Sequence, residues 1–158
     1  MPGRRSLSRR SAFVLTALAA CLLIAPARAQ EPKSTGQKVY VPVYSAIGFI
    51  SQEKFDLAVT LSFRNLDAGA PITIRSVDYF DTDGKEIKDL LEAPRTLPAF
   101  GSTQILIKQD DFKGDIGANV VVEWSADQPV TPPLFEAVMV GARGTQAFAF
   151  SSRGVVLE

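Results

Sequence analysis

The residue types in this chain exclude most catalytic sites. It has no histidine, and its single cysteine, Cys21, lies in an apolar run near the N-terminus. Ser-His-Asp and Cys-His sites both need a histidine and so cannot be built. A zinc site would have to use carboxylates alone, which is unusual for that metal. The remaining chemistry belongs to carboxylate, lysine, arginine, tyrosine and hydroxyl groups.

An acidic stretch in the middle of the chain is the first candidate for a binding site. Its candidate residues are Asp78, Tyr79, Asp81 and Asp83. A Ca²⁺ cage needs several carboxylates around a tight turn, and Gly84 follows directly. An EF-hand register would put Tyr79 at position one and Leu90 at position twelve, and neither suits the role. We predict a hairpin turn that uses Asp and Gly for their backbone geometry, with a weak cation site as the alternative.

Other acidic residues give weaker candidates. A second acidic loop, which we predict to be a solvated turn, contains Asp110, Asp111 and Asp115. Glu123 and Glu136 lie on neighbouring late segments, and a hydrolase pair would need them about 5–10 Å apart in a cleft. The polar outer face of a strand is the default position for such residues. We therefore expect a protein that is not an enzyme, with no catalytic residues, no metal and no cofactor.

Two arginines lie in glycine-rich contexts, Arg143 beside Gly144 and Arg153 beside Gly154. A guanidinium held in a tight turn can bind a carboxylate or phosphate through two parallel hydrogen bonds. It can also form a structural ion pair, for which Glu123 and Asp78 are the candidate partners. We favour the structural pair, because acids outnumber bases in the chain once an N-terminal signal is removed.

That signal has three parts. Four arginines precede an apolar run from Ala12 to Ala25, and Ala27-Arg28-Ala29 forms a small-x-small cleavage site. We predict that residues 1–29 are removed and that the protein is periplasmic or secreted. Alternatively, the segment Leu18-Ala19-Ala20-Cys21 is a lipobox, in which case Cys21 is lipidated and anchors the protein in the envelope.

Composition limits the mature protein to a few classes. Cleavage removes five of the 17 basic residues and no acidic residue, which leaves a net charge of −5. This charge argues against a nucleic-acid partner, and no membrane span remains. The mature chain has no cysteine for disulfides. We expect a flexible lead-in over 30–37 and a single domain over 38–158.

Alternating hydrophobicity predicts the fold class. Between Phe55 and Phe63, five large apolar residues alternate with small or polar ones, as in a half-buried strand. Turn signals recur through the chain, including one from Gly141 to Gly144, and only Lys85 to Glu92 could form a helical turn. We predict an all-β protein, an antiparallel immunoglobulin-like β-sandwich of about seven to eight strands. Trp124 shares a face with two valines and is expected in the core.

Two details of the strands are also predicted from the residues. Pro42 cannot donate to a ladder, so the strand from Val39 to Tyr44 is either an edge strand or one that changes sheets. The change of alternation near Arg75 and Ser76 predicts a β-bulge. An exposed edge can accept a strand from another protein, and we expect such strand addition beside Val39 to Tyr44.

Several motifs in one order carry a resemblance to a known family. They are Val39-Tyr40-Val41-Pro42-Val43-Tyr44-Ser45, Val77 to Lys85, Val122-Glu123-Trp124, Glu136 to Gly141, and Ser151-Ser152-Arg153-Gly154. Together they resemble a family of small exported bacterial proteins of unknown function, over Val39 to Val156. The region from Arg64 to Thr103 also resembles bacterial immunoglobulin-like and fibronectin-type modules. The family implies export and domain extent, and brings no catalytic residue or ligand.

The expected function is a non-enzymatic exported module that binds an envelope protein or supports an envelope assembly. Immunoglobulin-like folds host many functions, so this expectation is partly an analogy. The alternative is a periplasmic domain that binds a small ligand or cation through its acidic turns.

Overall fold

The computed structural model describes residues 32–48, 53–111 and 113–157, with the side chain of Arg143 also outside the description. All of these residues belong to one compact unit, Glu31–Glu158. The predicted signal over 1–29 and Cys21 lie outside the described residues. The strands are β1 (Ser34–Pro42), β2 (Ala46–Gly48), β3 (Lys54–Asp56), β4 (Ala58–Arg64), β5 (Ile72–Phe80), β6 (Glu86–Asp89), β7 (Arg95–Leu97), β8 (Ser102–Ile107), β9 (Asn119–Val130), β10 (Leu134–Arg143), β11 (Gln146–Arg153) and β12 (Val155–Val156).

The strands form two main sheets and one small hairpin. A six-stranded sheet has the order β12-β1-β9-β5-β6, with β7 also paired to β5. A four-stranded sheet has the order β11-β10-β4-β8, and β2 pairs with β3. Every pairing is antiparallel, which confirms the predicted all-β antiparallel class.

The described residues contain twelve strands, more than the seven or eight expected. The difference comes from β2, β3, β6, β7 and β12, each of two to four residues. Strands this short show too few alternations for a period of two to be visible in the sequence.

Both main sheets contribute side chains to one hydrophobic core. The alternation between Phe55 and Phe63 is confirmed, because its five large residues are all buried. The segment is divided at Leu57, whose N–H donates to the carbonyl of Ser45 at 2.8 Å. Trp124 is buried as predicted. Burial of each large apolar side chain stabilises the fold by about 1.5–3 kcal/mol.

The structure differs from two local expectations. The segment from Lys85 to Glu92 contains β6, which pairs with β5, because tertiary pairing overrides weak helical propensity. The predicted turn from Gly141 to Gly144 is confirmed only at its last residue, because Gly141 to Arg143 belong to β10 and the turn lies at Gly144, with φ +62°, and Thr145. A Cβ on Gly141 would lie 2.5 Å from Cε1 of Phe55, so this glycine serves close packing.

The strand β1 differs from its predicted form at both ends. It begins at Ser34, inside the predicted lead-in, because Gly36 and Gln37 pair with β9. Its other edge is not fully open, because β12 pairs with Val39 and Tyr40. The N–H of Leu157 also donates to the carbonyl of Lys38 at 2.8 Å. The expected strand addition beside this segment would therefore meet the chain's own C-terminal strand. The predicted bulge in β5 is confirmed between Ile74 and Ser76.

Candidate functional site

The acidic stretch covers the end of β5 and the hairpin turn between β5 and β6. One carboxylate oxygen of Asp81 accepts from the backbone N–H of Asp83 at 3.0 Å and of Lys85 at 2.9 Å. Gly84 has φ +76°, and its N–H donates to the carbonyl of Asp81 at 3.1 Å. Asp81 is thus used to fix the turn, as predicted, and the side chain of Asp78 accepts from the Ser76 hydroxyl at 3.2 Å.

Tyr79, a candidate binding residue from the sequence, is fully buried. Its hydroxyl lies 2.7 Å from the hydroxyl oxygen of Ser45. Burial raises the pKa of Tyr79 above its usual value, while the Ser45 hydrogen bond acts in the opposite direction. This residue therefore holds the fold together and presents no group to a ligand.

Lysines from other elements approach the second acidic loop. Lys88 Nζ lies 3.3 Å from Asp111 Oδ2, and Lys54 forms an ion pair with Asp115. The other carboxylate oxygen of Asp111 is buried without a hydrogen-bond partner. An open groove of about 690 Å³ is lined by Lys88, Leu106, Lys108, Asp110, Asp111 and Lys113. Within the described ranges, no three acidic, histidine or cysteine side chains are placed to hold a metal ion together.

Glu123 and Glu136 do not face each other. Glu123 is exposed on β9 of the six-stranded sheet, opposite Lys38 of β1. Glu136 lies on β10 of the four-stranded sheet, opposite Ser62 and Arg153. The neighbours of both residues along their strands are buried, so both carboxylates point away from the shared core. A hydrolase pair made of these two acids is therefore excluded.

The two arginines lie at the ends of one hairpin pairing. Arg143 ends β10 opposite Gln146, and its side chain is outside the described residues. Arg153 ends β11 opposite Glu136, and the predicted ion pair of Arg153 with Glu123 or Asp78 does not form. Those two acids belong to the six-stranded sheet, whereas Arg153 belongs to the four-stranded sheet.

The outward surface of the four-stranded sheet is the feature that the sequence did not reveal. Seven residues form two neighbouring rows on this surface, which we call the outer face: Ala58, Thr60, Leu106, Val138, Val140, Ala149 and Ser151. The same surface continues into a charged row, where Glu136 lies opposite Arg153. Thr60 lies opposite both Leu106 and Val138, and Val138 lies opposite Ser151, which makes one row across four strands. A second row runs from Ala58 through Val140 to Ala149. Neither row contains a charge.

The strand β11 is the edge of this sheet beside the outer face. In the described part of the chain, β10 is its only strand partner. Its half-buried Phe148 and Phe150 pack toward the core, with ring centroids 4.7 Å from Phe55 and 6.0 Å from Tyr44. The alternation of these phenylalanines predicted a strand, but strand order was needed to identify it as an edge.

Comparisons with known proteins place the chain in a family. The described strands and turns include no helix with the length and hydropathy needed to span a bilayer. No curated protein matches the chain. The crystal structure of Thermotoga maritima 1070 is similar at 10% identity with a TM-score of 0.41, over 75% of this chain and 92% of that one. The model of a family described as protein of unknown function (DUF3124) matches residues 36–157, and the chain therefore belongs to this family, as its motifs predicted.

Proposed function

We propose that this protein is an exported, non-enzymatic module that binds a partner protein in the bacterial envelope through the outer face. The observation that carries this proposal is the exposure of apolar side chains in two uncharged rows of a sheet surface. Val138, Val140 and Leu106 are 39%, 45% and 59% exposed. Contiguous exposed apolar surface on a water-soluble domain is typical of a protein–protein contact.

The opposite surface of the molecule provides the contrast. The outward surface of the six-stranded sheet carries Lys38 of β1 and Glu123 of β9 directly opposite each other. It also carries Asp78 on β5, which pairs with β9. Charged residues of both signs keep such a surface solvated. The four-stranded sheet also carries opposite charges across a ladder, Glu136 and Arg153, so the absence of charge is a property of the two rows of the outer face and not of a whole sheet surface.

Two finer parts of the proposal have support of their own. Export is supported by the basic, apolar and small-x-small segments that precede residue 30. An immunoglobulin-like sandwich is supported by two antiparallel sheets that share one core. Periplasmic or secreted location follows from cleavage, and a lipid-anchored form follows from the alternative use of Cys21.

The geometry favours protein contact over the alternative cation-binding domain. Free carboxylates are needed for a cation, but Asp81 is bound by backbone N–H groups, and Asp111 and Asp115 are each beside a lysine. Calorimetry with Ca²⁺ tests the alternative directly. Saturable binding of one ion per chain would reverse the preference.

The test uses one variant on each surface. The processed protein, carrying a C-terminal tag, is used to isolate its partner from a cross-linked envelope extract. We expect Val138→Lys to abolish recovery of that partner, because it places a charge in the centre of the outer face. Val121→Lys is the matched control, since it adds the same charge to the outward surface of the six-stranded sheet. Equal recovery by wild type and Val138→Lys would refute the outer face as the binding surface.

A further inference from the structure

The strand β11 lacks the features that normally protect an edge strand. Proteins usually shorten such strands or add lysine, proline or a bulge, because an open edge can pair with another chain. Here the strand has eight residues in continuous register with β10. From Gln146 to Ser152 it contains no charge and no proline. Across the ranges that the structure describes, no strand pairs with its second edge.

The sequence of β11 is nearly symmetric about its centre. Around Ala149, the order is small, phenylalanine, alanine, phenylalanine, small: Ala147, Phe148, Ala149, Phe150 and Ser151. The phenylalanines point toward the core side of the sheet and are half-buried, and the small residues point outward and are exposed. An antiparallel copy of the strand therefore presents a matching pattern to the original.

We propose that β11 pairs with β11 of a second copy of this chain, antiparallel about Ala149. The two four-stranded sheets then form one continuous eight-stranded sheet around a two-fold axis perpendicular to it. Such an axis keeps inward residues opposite inward residues, which strand pairing requires. Phe148 of each copy lies opposite Phe150 of the other, and Ala147 lies opposite Ser151.

Side-chain contacts favour a second copy of β11, rather than an unrelated strand, as the partner of this edge. Aromatic pairs directly across two strands are favourable, and pairing covers the exposed parts of both phenylalanines. Arg153 lies opposite Thr145 of the second copy in this register, so no like charges meet. The other edge of the same sheet, β8, reads Ser-Thr-Gln-Ile-Leu-Ile and has no such symmetry.

The size of the contact sets the expected affinity. One strand of eight residues per copy is a small interface compared with the roughly 800 Å² per partner of a stable complex. We therefore expect a reversible dimer with a micromolar dissociation constant. The dimer uses the edge of the sheet and leaves the outer face free, so the two copies present one enlarged surface to the partner proposed above.

Charge substitutions at the symmetry centre test the dimer. In the proposed register, Ala149 lies opposite Ala149 of the second copy. Ala149→Lys and Ala149→Glu therefore each place two like charges opposite each other. Analytical ultracentrifugation of the processed protein should show a concentration-dependent dimer for wild type and monomers for both variants. An equimolar mixture of the two variants should restore the dimer, because lysine then lies opposite glutamate.

A matched control and clear contrary results complete the test. Gln104→Lys adds a charge to the outward surface of β8 at the other edge and should leave the dimer unchanged. A wild-type monomer at about 1 mM, where a contact of this size should be populated, would overturn the proposal. A dimer that survives Ala149→Lys, or a variant mixture that stays monomeric, would do the same. Loss of the envelope partner in Val138→Lys is measured separately, so failure of one proposal does not hide the other.

Discussion

The hydroxyl oxygens of Ser45 and Tyr79 lie 2.7 Å apart in a buried hydrogen bond between the β1–β2 connection and β5. The loop before β9 closes over this pair, with Gly114 directly against the tyrosine hydroxyl. Three separate segments thus meet at one buried polar contact. The acidic residues around Tyr79 in the sequence make it a candidate for binding, whereas its buried position in β5 makes it structural.

Tyr79→Phe should lower stability and change its alkaline pH dependence. The variant leaves the buried Ser45 hydroxyl without its partner, which costs about 1–3 kcal/mol. Burial raises the pKa of Tyr79 above 10.0, so its stabilising contribution is fully present below about pH 10 and is lost as pH rises through the folded-state value. Urea denaturation across this range should give a shallower alkaline decline for the variant.

Tyr40→Phe is the matched control, because Tyr40 is only half-buried on β1. It should retain the wild-type alkaline slope. An identical slope for Tyr79→Phe and wild type would show that Tyr79 does not contribute to the alkaline decline.

Gly114→Ala should destabilise the fold by steric overlap. A Cβ at this position would lie 2.1 Å from the Tyr79 hydroxyl oxygen and 2.5 Å from the Cβ of Ala118. Overpacking of this kind costs about 1–3 kcal/mol. Gly48→Ala is the control, because nothing lies within 4 Å of the position that its new methyl group would take. In thermal denaturation, the midpoint temperature of Gly114→Ala should lie below that of wild type, and that of Gly48→Ala should not. Equal midpoints for Gly114→Ala and wild type would contradict the packing described for this loop.

Strands of the core could be predicted from the sequence, but their order could not. The alternation from Phe55 to Phe63 is a local property, because every second side chain of a strand points to the same face of the sheet. Whether a strand is central or at an edge depends on which distant segments pair with it. The edge position of β11 and the partial covering of β1 by β12 are therefore visible only in the structure.

For the candidate site residues, too, only the local features could be predicted from the sequence. Asp81 was correctly placed in a turn, because the preference of Asp and Gly for turns is set by local backbone geometry. The lysines beside Asp111 and Asp115 come from β6 and β3, far away in the chain. No spacing rule links residues that are brought together only by sheet pairing, so these ion pairs could not be predicted.

Asn65 and Asp67 form a second buried polar centre, at the opposite end of β4. The Asn65 amide donates to the carbonyls of Ala70 at 2.8 Å and Pro98 at 2.9 Å. The Asp67 carboxylate accepts from the backbone N–H groups of Thr131 at 3.0 Å and Gly69 at 2.9 Å. These contacts join three loops without any regular strand pairing.

Asp67→Asn should reduce the loss of stability in acid. The N–H groups of Thr131 and Gly69 lower the pKa of Asp67 below its usual 3.8, despite an opposing effect of burial. The stabilising contribution of this carboxylate is therefore fully present above about pH 4 and is lost as pH falls through the lower folded-state value. Denaturation between about pH 2 and 5 should show a flatter profile for the variant.

Asp83→Asn provides the control for this acid profile, because Asp83 is exposed in the β5–β6 turn. It should leave the slope unchanged. If Asp67→Asn and wild type lost stability in parallel, the contacts of Asp67 would not account for the acid response.

The N-terminus of the processed protein distinguishes a soluble from an anchored molecule. Cleavage after Ala29 is expected, because a small-x-small site follows the apolar run directly, and Leu22-Leu23-Ile24 would otherwise remain exposed after Cys21. Intact mass and N-terminal peptide analysis of the envelope protein should therefore identify Gln30 as the first residue. Cys21→Ser should be processed at the same site and released in the same fraction. A diacylglyceryl mass on Cys21, or a Cys21→Ser precursor that stays unprocessed, would establish the lipid-anchored form, with the proposed dimer and outer face then held at the membrane surface.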